Sequence, residues 1–200
     1  MEYLFAGLRV SYDYLIGKSS NIMQYFESDA DIKSTKVKRI YDKLPISTQL
    51  KWFFGYPTYI KDKIYLGSAF NAATKSTLES LNIRYIINVT DKIENYFPEC
   101  YEYESYIIDD NDQQHIIPFL EQAYKKIKEF QQKNDGNILV HCVMGASRSA
   151  SIVCYYLMRE YNFNPKEIYH AMKLKRECVN PSNTFYNDLM YEYKSINKLK

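Results

Sequence analysis

From about residue 57 onward, short and nearly continuous apolar runs alternate with longer stretches whose apolar residues fall three or four apart. The runs at residues 64–66, 85–89, 103–108 and 137–140 read as strands. Residues 85–89 (Tyr85, Ile86, Ile87, Asn88 and Val89) have the composition expected of a strand covered on both faces. The longer stretches carry helical periodicity. Residues 74–81 predict a short helix, and Phe119, Leu120, Ala123, Ile127 and Phe130 mark a longer one over residues 118–131. Residues 149–161 hold few polar positions, which predicts a helix with little exposed face. Asn164 followed by Pro165 is a helix start, a capping side chain ahead of a residue suited to the first turn. A last helix begins near Pro181 and places Phe185, Leu189, Tyr193 and Ile196 about one turn apart. Strands alternating with helices predict an α/β fold, a central and mainly parallel sheet flanked by helices.

Residues 1–56 follow a different pattern. Leu4, Phe5, Leu8, Tyr12 and Leu15 predict a short amphipathic helix ending near Gly17, and polar stretches follow at 18–21 and 27–35. Ile40, Leu44, Leu50, Trp52 and Phe53 come next, interrupted by Pro45. That much apolar side chain argues for a helical extension packed on a main domain of residues 57–200. No internal repeat or low-complexity block is present.

Composition narrows the function classes. Two hundred residues, 46% apolar and 25% charged, suit an ordinary globular domain able to bury a core. Tyrosine is abundant at 21 copies, a bias of the source with little functional weight. A net charge of +2 is too small to argue for a nucleic-acid or membrane partner. Cys100, Cys142, Cys154 and Cys178 show neither a zinc nor a disulfide spacing, and a reduced cytoplasmic or nuclear compartment fits them best. No secretory signal, 18-residue apolar run or lipidation box is found. Charge is more telling locally. Residues 91–112 carry eight acids against one base, a local charge of −7, and most of these acids read as a solvated loop face.

Residues 137–150 carry the candidate chemistry. A buried strand runs out at His141, six residues (142–147) separate it from Arg148, and a helix starts at once. Backbone N–H groups of such a loop can converge on a phosphate, and the helix N-terminus adds unpaired donors and its positive dipole end. Val143, Met144, Gly145, Ala146, Ser147 and Arg148 would line that cradle. Gly145 permits backbone angles that other residues avoid. Arg148 offers a planar fork matching two phosphate oxygens.

Cys142 stands at the focus of this positive field. A free thiol has a pKa of about 8.5, and lowering it by about three units requires roughly 4 kcal/mol of preferential thiolate stabilisation. A helix end supplies about 0.3–1 kcal/mol, so the loop N–H groups, Arg148 and the Ser149 hydroxyl must share the work. As an isolated residue, Cys142 would read as a small apolar side chain at a strand end. The strand–loop–helix context with His141, Gly145, Arg148 and Ser149 favours the nucleophile.

The run from His141 to Ser149 resembles the signature of the cysteine-based protein tyrosine phosphatases, and its Ser147-Arg148-Ser149 ending is similar to that of the dual-specificity branch. Residues 64–68 with Asn71 and Ala72 resemble the branch's opening strand and turn, residues 85–89 its second core strand, residues 150–158 its helix after the phosphate loop, and Asn180, Pro181, Ser182 and Phe185 its final helix entry. The likeness covers roughly residues 59–193. It implies a protein phosphatase with no metal or other cofactor, acting on phosphotyrosine and phosphoserine or phosphothreonine through a cysteinyl-phosphate. Cys142 would be the nucleophile, Arg148 the phosphate clamp and Ser149 the donor that helps the thiolate leave, with His141 in support. The family's general acid falls on Asp110, 32 residues before Cys142 and nine before Phe119. Asp109 and Asp112 are competitors within two residues.

Among the remaining candidates, His115 reads as an exposed histidine beside the acid loop, His170 as structural and Cys154 as core. Arg176 resembles a family position, though a solvated charge explains it equally well. The bases of residues 33–43 read as a solvated face. Rival substrates are phosphoinositides and RNA 5′-triphosphates. Both favour extra cationic charge, whereas the loop interior lacks lysine and the acid-loop region is negative, so phosphorylated proteins are the expected partners. From another class, the chain could capture phosphorylated partners without turnover. Such relatives typically lose the nucleophile or the arginine, and both are present here.

Overall fold

The computed structural model describes residues 48–111 and 113–198. The helix expected over residues 4–15 lies outside them, as does Asp112. Among the described residues twelve elements follow in chain order: α1 (Thr48–Phe54), β1 (Thr58–Lys61), β2 (Ile64–Gly67), α2 (Ala69–Ala73), α3 (Lys75–Ser80), β3 (Ile83–Asn88), β4 (Glu102–Ser105), α4 (Ile117–Lys133), β5 (Asn137–His141), α5 (Arg148–Tyr161), α6 (Pro165–Lys175) and α7 (Asn183–Lys198). The strands form one sheet in the order β1-β2-β5-β3-β4, antiparallel only between β1 and β2. The expected mainly parallel α/β architecture is therefore present.

Burial explains the order. β2, β5 and β3 are buried almost throughout and occupy the centre, whereas β4 is exposed or half-buried at each position and forms an edge. Tyr65, Ile86 and Leu139 from the three central strands share one cluster with Ala72, Leu78 and Leu81 from the α2–α3 region. α5 is buried at every residue from Arg148 to Met158, as its apolar composition predicts, and packs against α4, α6 and α7. α4 buries Leu120, Ala123, Ile127 and Phe130, four of the five residues that set its periodicity. α6 opens at Asn164 with a reciprocal capping box to Glu167 and Pro165 in the first turn.

Three features differ from the sequence reading. β1 was not legible, because only Ile60 of its four residues is buried. It joins β2 through Asp62 and Lys63, both at positive φ (52° and 66°), the turn geometry that matches strand twist. The strand expected over 103–108 ends at Ser105. α2, only five residues long, forms between β2 and the expected helix because Ser68 and Asn71 cap one another.

The register sets up the site. Gly67, His141 and Asn88 lie side by side at the C-terminal ends of three parallel strands. The segments that follow them converge at that edge, where ligands bind in open parallel sheets.

Candidate active site

The loop after β5 is held from several sides. Ala69 donates its N–H to Val143 O at 3.0 Å, Val89 donates to His141 O at 2.8 Å, and Asn180 donates to Ala146 O at 2.9 Å. Gly145 adopts φ +67°, and a Cβ there would stand 2.3 Å from Gly67 O. Only a glycine fits this crossing of loop and strand end.

Cys142 is buried at the centre of the loop. Its sulfur accepts from the Gly145 N–H and from the Ser149 hydroxyl, each at 3.3 Å. Burial by itself pushes the Cys142 thiol up. The Ser149 hydroxyl, the N–H groups of Ser149 and Ala146, and the Arg148 charge outweigh it, so the net displacement is downward, toward the thiolate. His141 Nδ1 lies 3.3 Å from Cys142 O, and burial lowers its pKa to about 4. A neutral His141 adds no charge to the site.

Arg148 opens α5 and is 5% exposed. Its Nη1 donates to Asp91 Oδ1 at 3.1 Å and to Ile108 O at 3.0 Å. Its Nε lies 3.5 Å from Asp110 Oδ2, within ion-pair reach but misaligned for a hydrogen bond, and this buried donor is unsatisfied. An unsatisfied buried donor costs about 1–3 kcal/mol, which an anion oxygen at the same edge would relieve. Asp110 sits over the loop, where Ser147 Oγ donates to its Oδ1 at 2.7 Å. Ser147 Oγ in turn accepts from the Ser182 N–H at 3.2 Å.

Cys142, Ser149, Arg148, Asp110 and the loop residues 143–147 thus lie together, linked by these contacts. Val143 is exposed, Met144 and Ala146 are half-buried, and Gly145 and Ser147 are buried. Asp109 instead accepts from Asn111 Nδ2 at 2.7 Å, a contact within its own loop. Cys154 is fully buried in α5, and His170 lies on an exposed face of α6. Among the described residues, no group of three or more His, Cys, Asp or Glu side chains is arranged to hold a metal ion.

Asp91 and Asp188 were not legible in the sequence as parts of the site, and Arg176 was left between a family position and a solvated charge. Asp91, one acid among eight in its region, bonds Arg148. Asp188 of α7 binds the end of the acid loop, accepting from the Ile116 N–H at 2.8 Å and meeting His115 Nδ1 at 2.8 Å. Arg176 is fully buried, which corrects the solvated alternative.

The model of the family described as "Dual specificity phosphatase, catalytic domain" matches residues 64–195. The chain belongs to the dual-specificity phosphatase family. It is similar to human "Protein phosphatase Slingshot homolog 2", 37% identical over 140 residues, 70% of this chain and 10% of that protein. It is 33% identical over 186 residues to human "Dual specificity protein phosphatase 6", 92% of this chain and 45% of that one. The chain therefore spans less than half the length of either relative. Among solved structures it resembles the human tyrosine phosphatase-like serine/threonine/tyrosine-interacting protein, with TM-score 0.65 and 28% identity over 72% of this chain and 98% of that one. A likeness to DUSP15 at TM-score 0.65 and 23% identity, over 72% of this chain and 93% of that one, supports the dual-specificity phosphatase fold.

Proposed function

We propose that the chain is a protein phosphatase that hydrolyses phosphotyrosine and phosphoserine or phosphothreonine through a cysteinyl-phosphate on Cys142. The observation that carries it is a buried sulfur receiving an N–H and a hydroxyl at 3.3 Å beside an arginine with a buried, unsatisfied Nε. In the first step the Cys142 thiolate attacks phosphorus, the bond to the leaving oxygen breaks, and Asp110 delivers the proton that oxygen needs. In the second, Asp110 takes a proton from water, water attacks the phosphocysteine, and the Ser149 hydroxyl stabilises the departing thiolate. Arg148 and the N–H groups of residues 143–148 hold the equatorial oxygens in both steps. A reducing compartment, cytoplasmic or nuclear, suits a catalytic thiolate.

The test is phosphate release from tyrosine- and serine/threonine-phosphorylated peptides with a chelator present. Turnover on both supports the reading. Retained binding without turnover would move it to a capture module. Turnover confined to a phosphoinositide or an RNA 5′-triphosphate would move the substrate class.

The pH profile tests the acid. Because the Cys142 thiol is displaced downward, activity should persist below the pH at which a free thiol protonates before its acid limb falls. Asp110→Asn should lower kcat about 10²–10⁴-fold and remove the alkaline limb, since an amide has no proton to lose. Removal of that limb by Asp112→Asn instead would reassign the acid.

Gly145→Ala tests the loop geometry. The added methyl meets Gly67 O at 2.3 Å and Arg176 Nη2 at 2.8 Å, and φ +67° disfavours any side chain. A loop displaced by about 1 Å should lose roughly 10²-fold in kcat/KM, with a lower Tm. An unchanged kcat/KM would contradict this geometry.

A further inference from the structure

Arg176 has no part in the chemistry proposed above, yet it is the largest fully buried side chain among the described residues. It lies behind the phosphate loop, and its donors converge on it. Nε donates to Gly145 O at 2.9 Å and Nη2 to Met144 O at 2.8 Å. Nη2 also donates to Trp52 O at 3.1 Å, and Nη1 to Thr58 Oγ1 at 3.4 Å. Each of these bonds goes to a carbonyl or hydroxyl oxygen, none to a carboxylate. Burial pushes the guanidinium down from its ordinary value, while Cys178 and Cys142 oppose that displacement.

The far side of this clamp is α1 and the residues just after it, which precede the family match at residue 64. Besides Trp52 O on Arg176, Phe53 O accepts from Ser68 Oγ at 2.6 Å and Gly55 O accepts from Asn71 Nδ2 at 2.6 Å. Ser68 and Asn71 cap α2, whose first residue, Ala69, donates to Val143 O. The Trp52 ring covers the Arg176 guanidinium at 5.4 Å. Two routes therefore run from residues 52–55 into the phosphate loop, one through Arg176 and one through Ser68 and Asn71.

We propose that Arg176, held by the carbonyl and ring of Trp52, is a positioning residue that fixes Met144 and Gly145 so that the loop N–H groups face the bound phosphate. Residues 48–56 then belong functionally with the catalytic domain, on the far side of the boundary expected at residue 57. By occupying the carbonyls of Met144 and Gly145 from behind, the guanidinium keeps the peptide dipoles oriented with their N–H ends toward the sulfur. Its charge also adds to the field on the thiolate. Lysine keeps the charge but cannot span Gly145, Met144 and Trp52 with one planar fork.

This inference rests on the phosphatase reading for its kinetic arm but has a binding arm independent of turnover. Trp52 is the sole tryptophan, so its emission reports on the clamp. In the full chain, inorganic phosphate should change that emission saturably, with the same midpoint as its competitive inhibition of aryl phosphate hydrolysis. Arg176→Lys should abolish the emission change, lower kcat/KM about 10²-fold with most of the loss in kcat, and move the acid limb to higher pH. Should Arg176→Lys fail to fold, Trp52→Ala serves in its place. It removes the ring but keeps the carbonyl, and should lower kcat several-fold with the same shift of the acid limb, while Trp52→Phe stays near wild type. Wild-type kinetics and pH profile in Arg176→Lys, or in Trp52→Ala where that replaces it, would overturn the proposal. So would phosphate inhibition that saturates with no change in emission. A wild type that shifts its emission with phosphate but never turns over would sink the phosphatase reading and leave the clamp standing.

Discussion

Cys142→Ser should reduce turnover of an aryl phosphate by at least about 10⁴-fold, the scale of loss when a nucleophile acting as part of a unit is removed. The change is nearly isosteric, so the Gly145 N–H and the Ser149 hydroxyl keep a partner and the loop keeps its shape. What is lost is the ionisation. The same surroundings that move a thiol downward cannot bring an alkyl hydroxyl into the titratable range, because the roughly 4 kcal/mol invoked for a thiolate covers only about three units. Phosphate affinity, which depends on Arg148 and the loop N–H groups, should stay within a few-fold of wild type. Measuring kcat alongside the inhibition constant for inorganic phosphate separates the two effects. A serine variant with substantial turnover would mean that another group carries the attack.

Arg148→Lys should cost about 10³-fold in kcat/KM, comparable to the loss of an arginine that stabilises a transferring phosphoryl group. The side chain opens α5 with Nη1 shared between Asp91 and Ile108 O, and the unsatisfied Nε is left as the edge that can meet an anion. An ammonium keeps one charge, but it cannot bond Asp91 and Ile108 O on one side while donating a pair of parallel hydrogens on the other. Asp91 stays ionised. Its own burial raises its pKa, but backbone N–H contact, Lys92 and Arg148 outweigh that and lower it overall. A lysine variant would therefore be drawn toward the carboxylate and away from the phosphate. Steady-state kinetics on an aryl phosphate check this, and a loss below tenfold would show that charge alone suffices.

The legible part of this protein is the part whose chemistry is contiguous. Residues 141–149 must lie together in sequence because a strand end, a loop and a helix start together make the cradle, and the structure brings Cys142, Ser149 and Arg148 to one point accordingly. The central strands were legible because burial on both faces leaves a continuous apolar run, and α4 because its stripe recurs with helical period. Asp110 was legible only by its spacing from Cys142, with Asp109 and Asp112 as neighbours, since nothing local distinguishes one loop carboxylate from the next.

The rest depends on partners far apart in the chain. Asp91 looked like any solvated acid until packing set it against Arg148, 57 residues away. Asp188 reads as one polar position of α7, yet its carboxylate ties down Ile116, 72 residues earlier. Arg176 is the sharpest case. A lone arginine after a helix is most often solvated, and only the folded chain brings to it the carbonyl of Trp52, 124 residues earlier, together with the loop. β1 escaped notice because a hairpin edge with a single buried side chain has too little alternation to register.

The central claim is a covalent phosphoryl group on Cys142, and direct trapping tests it best. Ser149→Ala removes the hydroxyl that stabilises the departing thiolate, so with an aryl phosphate bearing a good leaving group the second step should lag and the intermediate accumulate. Rapid denaturation followed by peptide mass mapping should find one phosphoryl group, confined to the peptide containing Cys142 and absent when Cys142 is replaced by serine. Steady turnover with no phosphoryl group on that peptide, or with one on a different residue, would contradict the mechanism.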